Sequence, residues 1–230
     1  MTLLVAAAAA FILLHLLVSG TRLRDALTGA IGEGAYMGLF SLASIGLLVW
    51  LVMAFGAARI SPADSVLWRV TPVTRSIQFV LQLLAFLLVV PGLTTPNPTS
   101  VAQEAVLERP DAVRGMLRIT RHPFLWGVAL WAAGHILVAG AIAPLILFGS
   151  LLVLALAGTA SIDAKRRRAL GERWTGFAAQ TSNIPFAAIA SGRQSLRVGE
   201  IGAWRLILAV GLWGVVIWAH PWIAGVRALP

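Results

Sequence analysis

The sequence predicts an all-α, polytopic membrane protein of about six transmembrane helices, and three observations carry that expectation. Of its 230 residues, 59% are hydrophobic and only 12% are charged, about half the charged share of a soluble domain. Apolar runs of roughly 17 to 22 residues, the length that crosses a bilayer core as a helix, recur along the whole chain. The connections between them are too short for a separate soluble domain, so residues 1–230 read as a single integral membrane domain.

The spans fall at Thr2 to Ser19, Ala35 to Ala57, Ser76 to Pro91, Phe124 to Ala139, Ile142 to Thr159 and Trp204 to Trp222. The first has its arginines, Arg22 and Arg24, after the apolar run rather than before it, which marks a true span and not a signal peptide. Trp50, Trp68, Trp126, Trp204 and Trp222 lie near span ends, where indoles anchor at the interface. The run from Pro91 to Ser100 holds three prolines, which predicts an extended connection after the third span. Val101 to Arg118 and Asp163 to Gln180 mix apolar and basic residues in the manner of interfacial helices.

Basic residues orient the bundle. The connections with Arg22 and Arg24, with Arg109, Arg114, Arg118 and Arg121, and from Lys165 to Arg197 share one side and hold thirteen Lys and Arg. The other side has Arg59, Arg69, Arg75 and Arg227. The positive-inside bias then puts the basic connections in the cytoplasm and both termini in the periplasm of a bacterial inner membrane. The net charge of +9 needs no nucleic-acid partner, because the run Lys165–Arg168 at a span end is an anchor to anionic lipid.

The absence of Cys removes disulfides, thiolate metal sites, iron–sulfur clusters and covalent c-type haem from consideration. All nine carboxylates fall outside the expected spans, which argues against an intramembrane carboxylate relay. Two ionisable groups lie well inside: His15 in the first span and His135 in the fourth. A histidine in lipid needs a partner, and a metal ligand or a hydrogen bond to a backbone carbonyl, Gln78 or Gln82 would each supply one. His15, Ser19 and Arg22 share a face if one helix continues through them, and Trp131 and His135 are one turn apart, with Gly127 and Gly134 as small surface beside them. The expected boundaries leave the two histidines about 10 Å apart in depth. His122, in Arg121-His122-Pro123, sits at a span entry and serves either as a cap or in anion binding. His220-Pro221-Trp222 is read as an interface anchor.

Several pieces in order make the chain resemble the NnrU family and its relative, the plant and cyanobacterial zeta-carotene isomerases. They are His15-Leu16 with Ser19 and Arg22; Gly32-Glu33-Gly34-Ala35-Tyr36 and Gly38-Leu39-Phe40-Ser41; Arg118-Ile119-Thr120-Arg121-His122-Pro123-Phe124; Trp131 and Gly134-His135; Gly171-Glu172-Arg173-Trp174 with Ser182-Asn183-Ile184-Pro185-Phe186; and His220-Pro221-Trp222. The resemblance implies non-covalent haem b, a metal site made by His15 and His135 as axial ligands, and, in the isomerase branch, cis–trans isomerisation of a carotenoid. Arg22, Arg121 and His122 are then the candidate contacts to the haem propionates. The partners expected are membrane lipid and a hydrophobic, lipid-soluble substrate. The other branch implies a haem protein or accessory factor in nitric oxide and denitrification metabolism. An Arg-His-Pro entry followed by a two-span hairpin is also similar to isoprenylcysteine carboxyl methyltransferases, and a non-enzymatic assembly partner is the third class.

Overall fold

The computed structural model, described for residues 1–229, is all-α, and among the described residues the only β feature is an isolated bridge between Val66 and Ala141. The helices are α1 (Thr2–Leu13), α2 (Arg22–Ile31), α3 (Glu33–Arg59), α4 (Pro72–Thr94), α5 (Met116–Ile119), α6 (Pro123–Ala139), α7 (Ile142–Leu170), α8 (Glu172–Gln180), α9 (Ala187–Ala190) and α10 (Ala203–Ala224). Four of them, α3, α4, α7 and α10, are long and apolar enough to span, and a bent pair at the N-terminus makes a fifth. The expected six is therefore a little high. The remaining apolar helix, α6, is held to 17 residues by Pro123 at its start and left-handed Gly140 at its end, a length of about 25 Å against a core of about 30 Å.

Local chemistry explains most boundaries. The chain passes from α1 through a π-helical turn, Leu14–Val18, and then bends by 77° into α2, where Thr21 Oγ1 accepts from Leu23 N at 3.2 Å. Thr71 and Thr74 form a capping box on α4, with Pro72 at its first position. That helix does not stop at Pro91 as expected; it continues to Thr94. A proline three residues from the end removes only one backbone donor, and Thr94 Oγ1 donating to Val90 O at 2.8 Å helps close the last turn.

Neither expected interfacial helix forms as one piece. Between residues 101 and 118, Pro110 and a positive φ at Gly115 leave a 3₁₀ turn, Glu104–Glu108, and the short α5. Between residues 163 and 180, α7 runs on to Leu170 and the chain breaks at Gly171, whose φ is 53°. The apolar face of α8 meets protein instead of lipid, because Trp174 and Phe177 are buried with Leu117.

Helix α6 is the centre of the bundle, between α4 and α7. Close approach to α4 depends on glycine: a Cβ on Gly127 would lie 2.9 Å from Ala85 O, and one on Gly134 would lie 1.9 Å from Gln78 Oε1. Outside α7, Leu4, Ala7 and Ala8 of α1 pack with Leu51, Ala54 and Ala58 of α3 and with Ala143 and Leu147. Outside α4 stands α10, joined by Phe79 against Trp213 and by Arg205 donating to Thr94 Oγ1 at 3.1 Å and Thr94 O at 3.0 Å. Neighbouring apolar helices alternate in direction along the chain, which gathers the three basic connections at one end. There they interlock: Arg166 pairs with Glu104, Arg118 with Glu200, and Arg121 N donates to Ser182 O at 2.9 Å.

Candidate functional site

His15 occupies the π turn. Its Nδ1 lies 2.9 Å from Phe11 O, and since a carbonyl only accepts, the proton of the neutral ring is on Nδ1 and Nε2 keeps its lone pair. The ring packs between Phe11, at 4.4 Å, and Phe40 of α3, at 5.4 Å. Phe40 stacks in turn on Tyr36 at 5.8 Å. The Tyr36 hydroxyl is buried and has no hydrogen-bond partner among the described residues, and neither has Ser44 Oγ two turns further along the same stripe of α3.

His135 repeats this arrangement on α6. Its Nδ1 donates to Trp131 O at 2.8 Å, which again frees Nε2, and the ring stacks on Phe148 of α7 at 4.6 Å. Gln82 of α4 donates to the same Trp131 carbonyl at 3.3 Å and to Gln78 Oε1 at 3.0 Å. The two glutamines thus steady the turn that orients the imidazole, as an outer layer does at ligand histidines.

The two rings belong to different pairs of helices and lie at different levels along α7. On α7, Gly20 lies against Ser161 and His135 against Phe148, which places His15 about 12 Å nearer the basic end than His135. Side chains lean towards the N-terminus of their own helix. Because α1 and α6 run in opposite directions, His15 leans up and His135 leans down, which narrows the separation in depth by a small part of it. Among the described residues no three or more His, Cys, Asp or Glu side chains are grouped to hold a metal.

The basic candidates are placed differently. The face shared by His15, Ser19 and Arg22 is broken by the π turn and the bend, and Arg22 is exposed at the start of α2. Arg121 lies before α6, and its guanidinium grips Asp163 of α7, with Nε at 2.9 Å from Oδ1. His122 Nε2 donates to the same Oδ1 at 2.7 Å. Burial pushes the His122 imidazole below its usual range, and the Asp163 carboxylate opposes that shift. Around them Asn97 Nδ2 donates to Arg121 O at 3.0 Å, Trp126 Nε1 to Asn183 O at 2.8 Å and Asn183 Nδ2 to Thr159 Oγ1 at 2.9 Å. This polar knot ties the ends of α4, α6 and α7 to residues 181–186.

Sequence reasoning did not single out Asp163 as the partner of Arg121 and His122, nor the aromatic frame of Phe11, Phe40 and Phe148. The four-residue spacings Phe11–His15, Trp131–His135 and Tyr36–Phe40 were the available signals. His220 lies near the other end of α10, with Nδ1 donating to Val226 O at 2.7 Å.

The chain is 29% identical over 179 residues to the 15-cis-zeta-carotene isomerase, chloroplastic, of Arabidopsis thaliana, and likewise to that of Zea mays. Each alignment takes in 76% of this chain and 47% of the relative, so the chain spans about half the length of the curated relatives it matches. No solved structure matches. The profile of a family described as NnrU protein matches residues 3–228. A match of that extent reaches into every helix of the bundle, and the chain belongs to the NnrU family.

Proposed function

We propose that this protein binds haem b between His15 and His135 and uses it to isomerise a lipid-dissolved polyene from cis to trans. The observation that carries the reading is the pair of imidazoles, each with Nδ1 tied to the carbonyl four residues back and Nε2 left free. That is the tautomer in which imidazole ligates iron, and the buried, unpartnered Tyr36 hydroxyl beside the His15 frame offers a polar contact that the protein itself does not satisfy. Bound there, haem would supply a redox-active iron which, were reduction to release one of the two imidazoles, would be a Lewis acid able to polarise a conjugated double bond.

The chain's own contribution is orientation and exclusion. Phe11 and Phe40 hold one ring, Trp131 and Phe148 hold the other, and Gln82 fixes the carbonyl that aims His135. Arg22, exposed at the basic end below His15, would meet the propionates. Arg121 and His122 would support that end through Asp163. A reaction that only rotates the chain about a double bond needs no carboxylate base, and the hydrogen-bond and stacking partners of both rings are backbone carbonyls and aromatic rings.

The substrate class rests on the isomerase relatives together with the lipid-facing surface of the bundle. Co-expression with a poly-cis carotene pathway that lacks its isomerase tests the whole reading. Wild type should convert the substrate and show a Soret band when purified, and His135→Ala should lose both. A protein from haem-replete cells without a Soret band would overturn the haem site; a Soret band without conversion would overturn the isomerase.

In the same reading the protein sits in a bacterial inner membrane with its basic end in the cytoplasm. The absence of native cysteine makes labelling clean. Ser195→Cys should be protected from a membrane-impermeant thiol reagent in intact cells, and Ser65→Cys should react. The reverse pattern would invert the orientation.

A further inference from the structure

Gln78 and Gln82 stand one turn apart on α4, inside an apolar helix where a primary amide is costly unless it is used. They meet α6 in a notch that glycine makes, since a Cβ on Gly134 would overlap Gln78 Oε1 and lie 2.9 Å from Gln82 Nε2. Gly134 is the residue before His135. Gln82 Nε2 carries two N–H groups; it donates to Gln78 Oε1 at 3.0 Å and to Trp131 O at 3.3 Å. Adhesion between α4 and α6 would be served by any polar group on that face. The acceptor in use is the carbonyl that already takes the His135 Nδ1 proton, at 2.8 Å.

That sharing has a chemical effect. Each hydrogen bond that a carbonyl oxygen accepts draws electron density from the other, so an oxygen shared between two side chains holds each donor less tightly. At a ligand histidine the bond made by the second ring nitrogen sets the basicity of the first. A less polarised Nδ1–H therefore leaves Nε2 a poorer electron donor. His15 differs here: its Nδ1 lies 2.9 Å from Phe11 O, and among the described residues no other side chain donates to that oxygen. The two imidazoles are alike in tautomer and both pack on aromatic rings, but only one of them shares its anchoring carbonyl with a second side chain.

We infer that Gln82 is a positioning residue that lowers the donor strength of His135 below that of His15, so that His135 is the imidazole an incoming ligand displaces. The inference rests on the haem reading proposed above and adds to it which side of the bound group is reactive.

Haem-loaded protein in detergent tests it through two variants. Gln82→Met keeps the length of the side chain and removes its donor. Gln78→Met removes the other acceptor of the Gln82 amide and leaves Gln82 on Trp131 O. Without Gln82 the Nδ1–H bond strengthens by a fraction of one hydrogen bond, roughly a threefold change in an equilibrium constant. The reduction midpoint of Gln82→Met should therefore fall by about 28 mV, which is threefold at 59 mV per decade for one electron. The reduced variant should bind carbon monoxide roughly threefold more weakly than wild type, because the imidazole to be displaced holds harder. Gln78→Met should stay near wild type in both readings, although each variant loses a polar bond beside α6 and should unfold earlier. An unmoved midpoint, equal shifts in the two variants, or a carbon monoxide affinity that is unchanged or raised in Gln82→Met would overturn the inference. A wild type without a Soret band would overturn the haem reading instead, and the hydrogen bond is then followed in haem-free protein by nuclear magnetic resonance. The His135 Nδ1 proton, identified by its loss in His135→Ala, should move downfield in Gln82→Met; a resonance that stays in place would overturn the role given to Gln82.

Discussion

Gly127 and Gly134 both lie on the α4 face of α6, yet they resist a methyl group for different reasons. At Gly127 the new Cβ meets Ala85 O at 2.9 Å and Val89 Cγ2 at 2.5 Å, so the helix axes must part; at Gly134 it meets the end of the Gln78 side chain, which can swing away. Gly127→Ala should cost about 1–3 kcal/mol, the range for overpacking a fitted interior, and Gly134→Ala less, as measured by chemical unfolding in detergent. Asp163 has a larger task. Its carboxylate serves Arg121 and His122 with only 14% of the side chain exposed, and Asp163→Asn strands a buried guanidinium, a loss of about 3–5 kcal/mol to be read in the same assay. The sequence made the two intramembrane histidines legible because an ionisable group in an apolar run stands out. An offset of about 10 Å between them was also legible from position alone, at 1.5 Å per residue. Asp163 was not, because its partners are 42 and 41 residues away and no local pattern links an acid past a span end to a span entry.

Elements were legible where a periodic or punctuated signal controls them, and misread where tertiary contact does. Arg121-His122-Pro123 marks a start that the structure keeps within one residue. The interruption of α1 carries no proline or charge as a warning, and the amphipathic faces of residues 101–118 and 163–180 could be assigned equally to lipid or to protein. The same tertiary contacts make one connection acid-sensitive. The Arg118 guanidinium beside Glu200, reinforced by Gly115 N–H, holds its carboxyl well below the ordinary value of 4.5, at about 2. A depressed carboxyl stabilises the folded chain above its unfolded value and loses that contribution as pH falls through its folded one. The difference in unfolding midpoint between wild type and Glu200→Gln should therefore be constant above about pH 5 and shrink from pH 4.5 towards 2. A difference that stays constant across that window would show that Glu200 is not ionised and paired in the fold.

Across the whole molecule, the all-α bundle and the clustering of basic connections at one end followed from composition and charge order, whereas the number of spans did not, because α6 is short and central. Centrality has a measurable consequence. Protection tracks how fully an element is packed, so amide exchange in detergent should be slowest in α6, flanked by α4 and α7, and fastest among the long helices in α10, which packs mainly on α4 and buries only Ala209. The first helix deserves a different measure, that of chain length. It is pinned near one end by Leu4, Ala7 and Ala8 and near the other by Gly20 against Ser161, and between those pins its π turn winds more residues per turn than an α-helix. Treated as a ruler, α1 carries one graduation too many. A chain one residue shorter between His15 and Val18 would still reach both pins as an unbroken helix, and the shortening would turn the compass bearing of His15 relative to the Gly20–Ser161 pin.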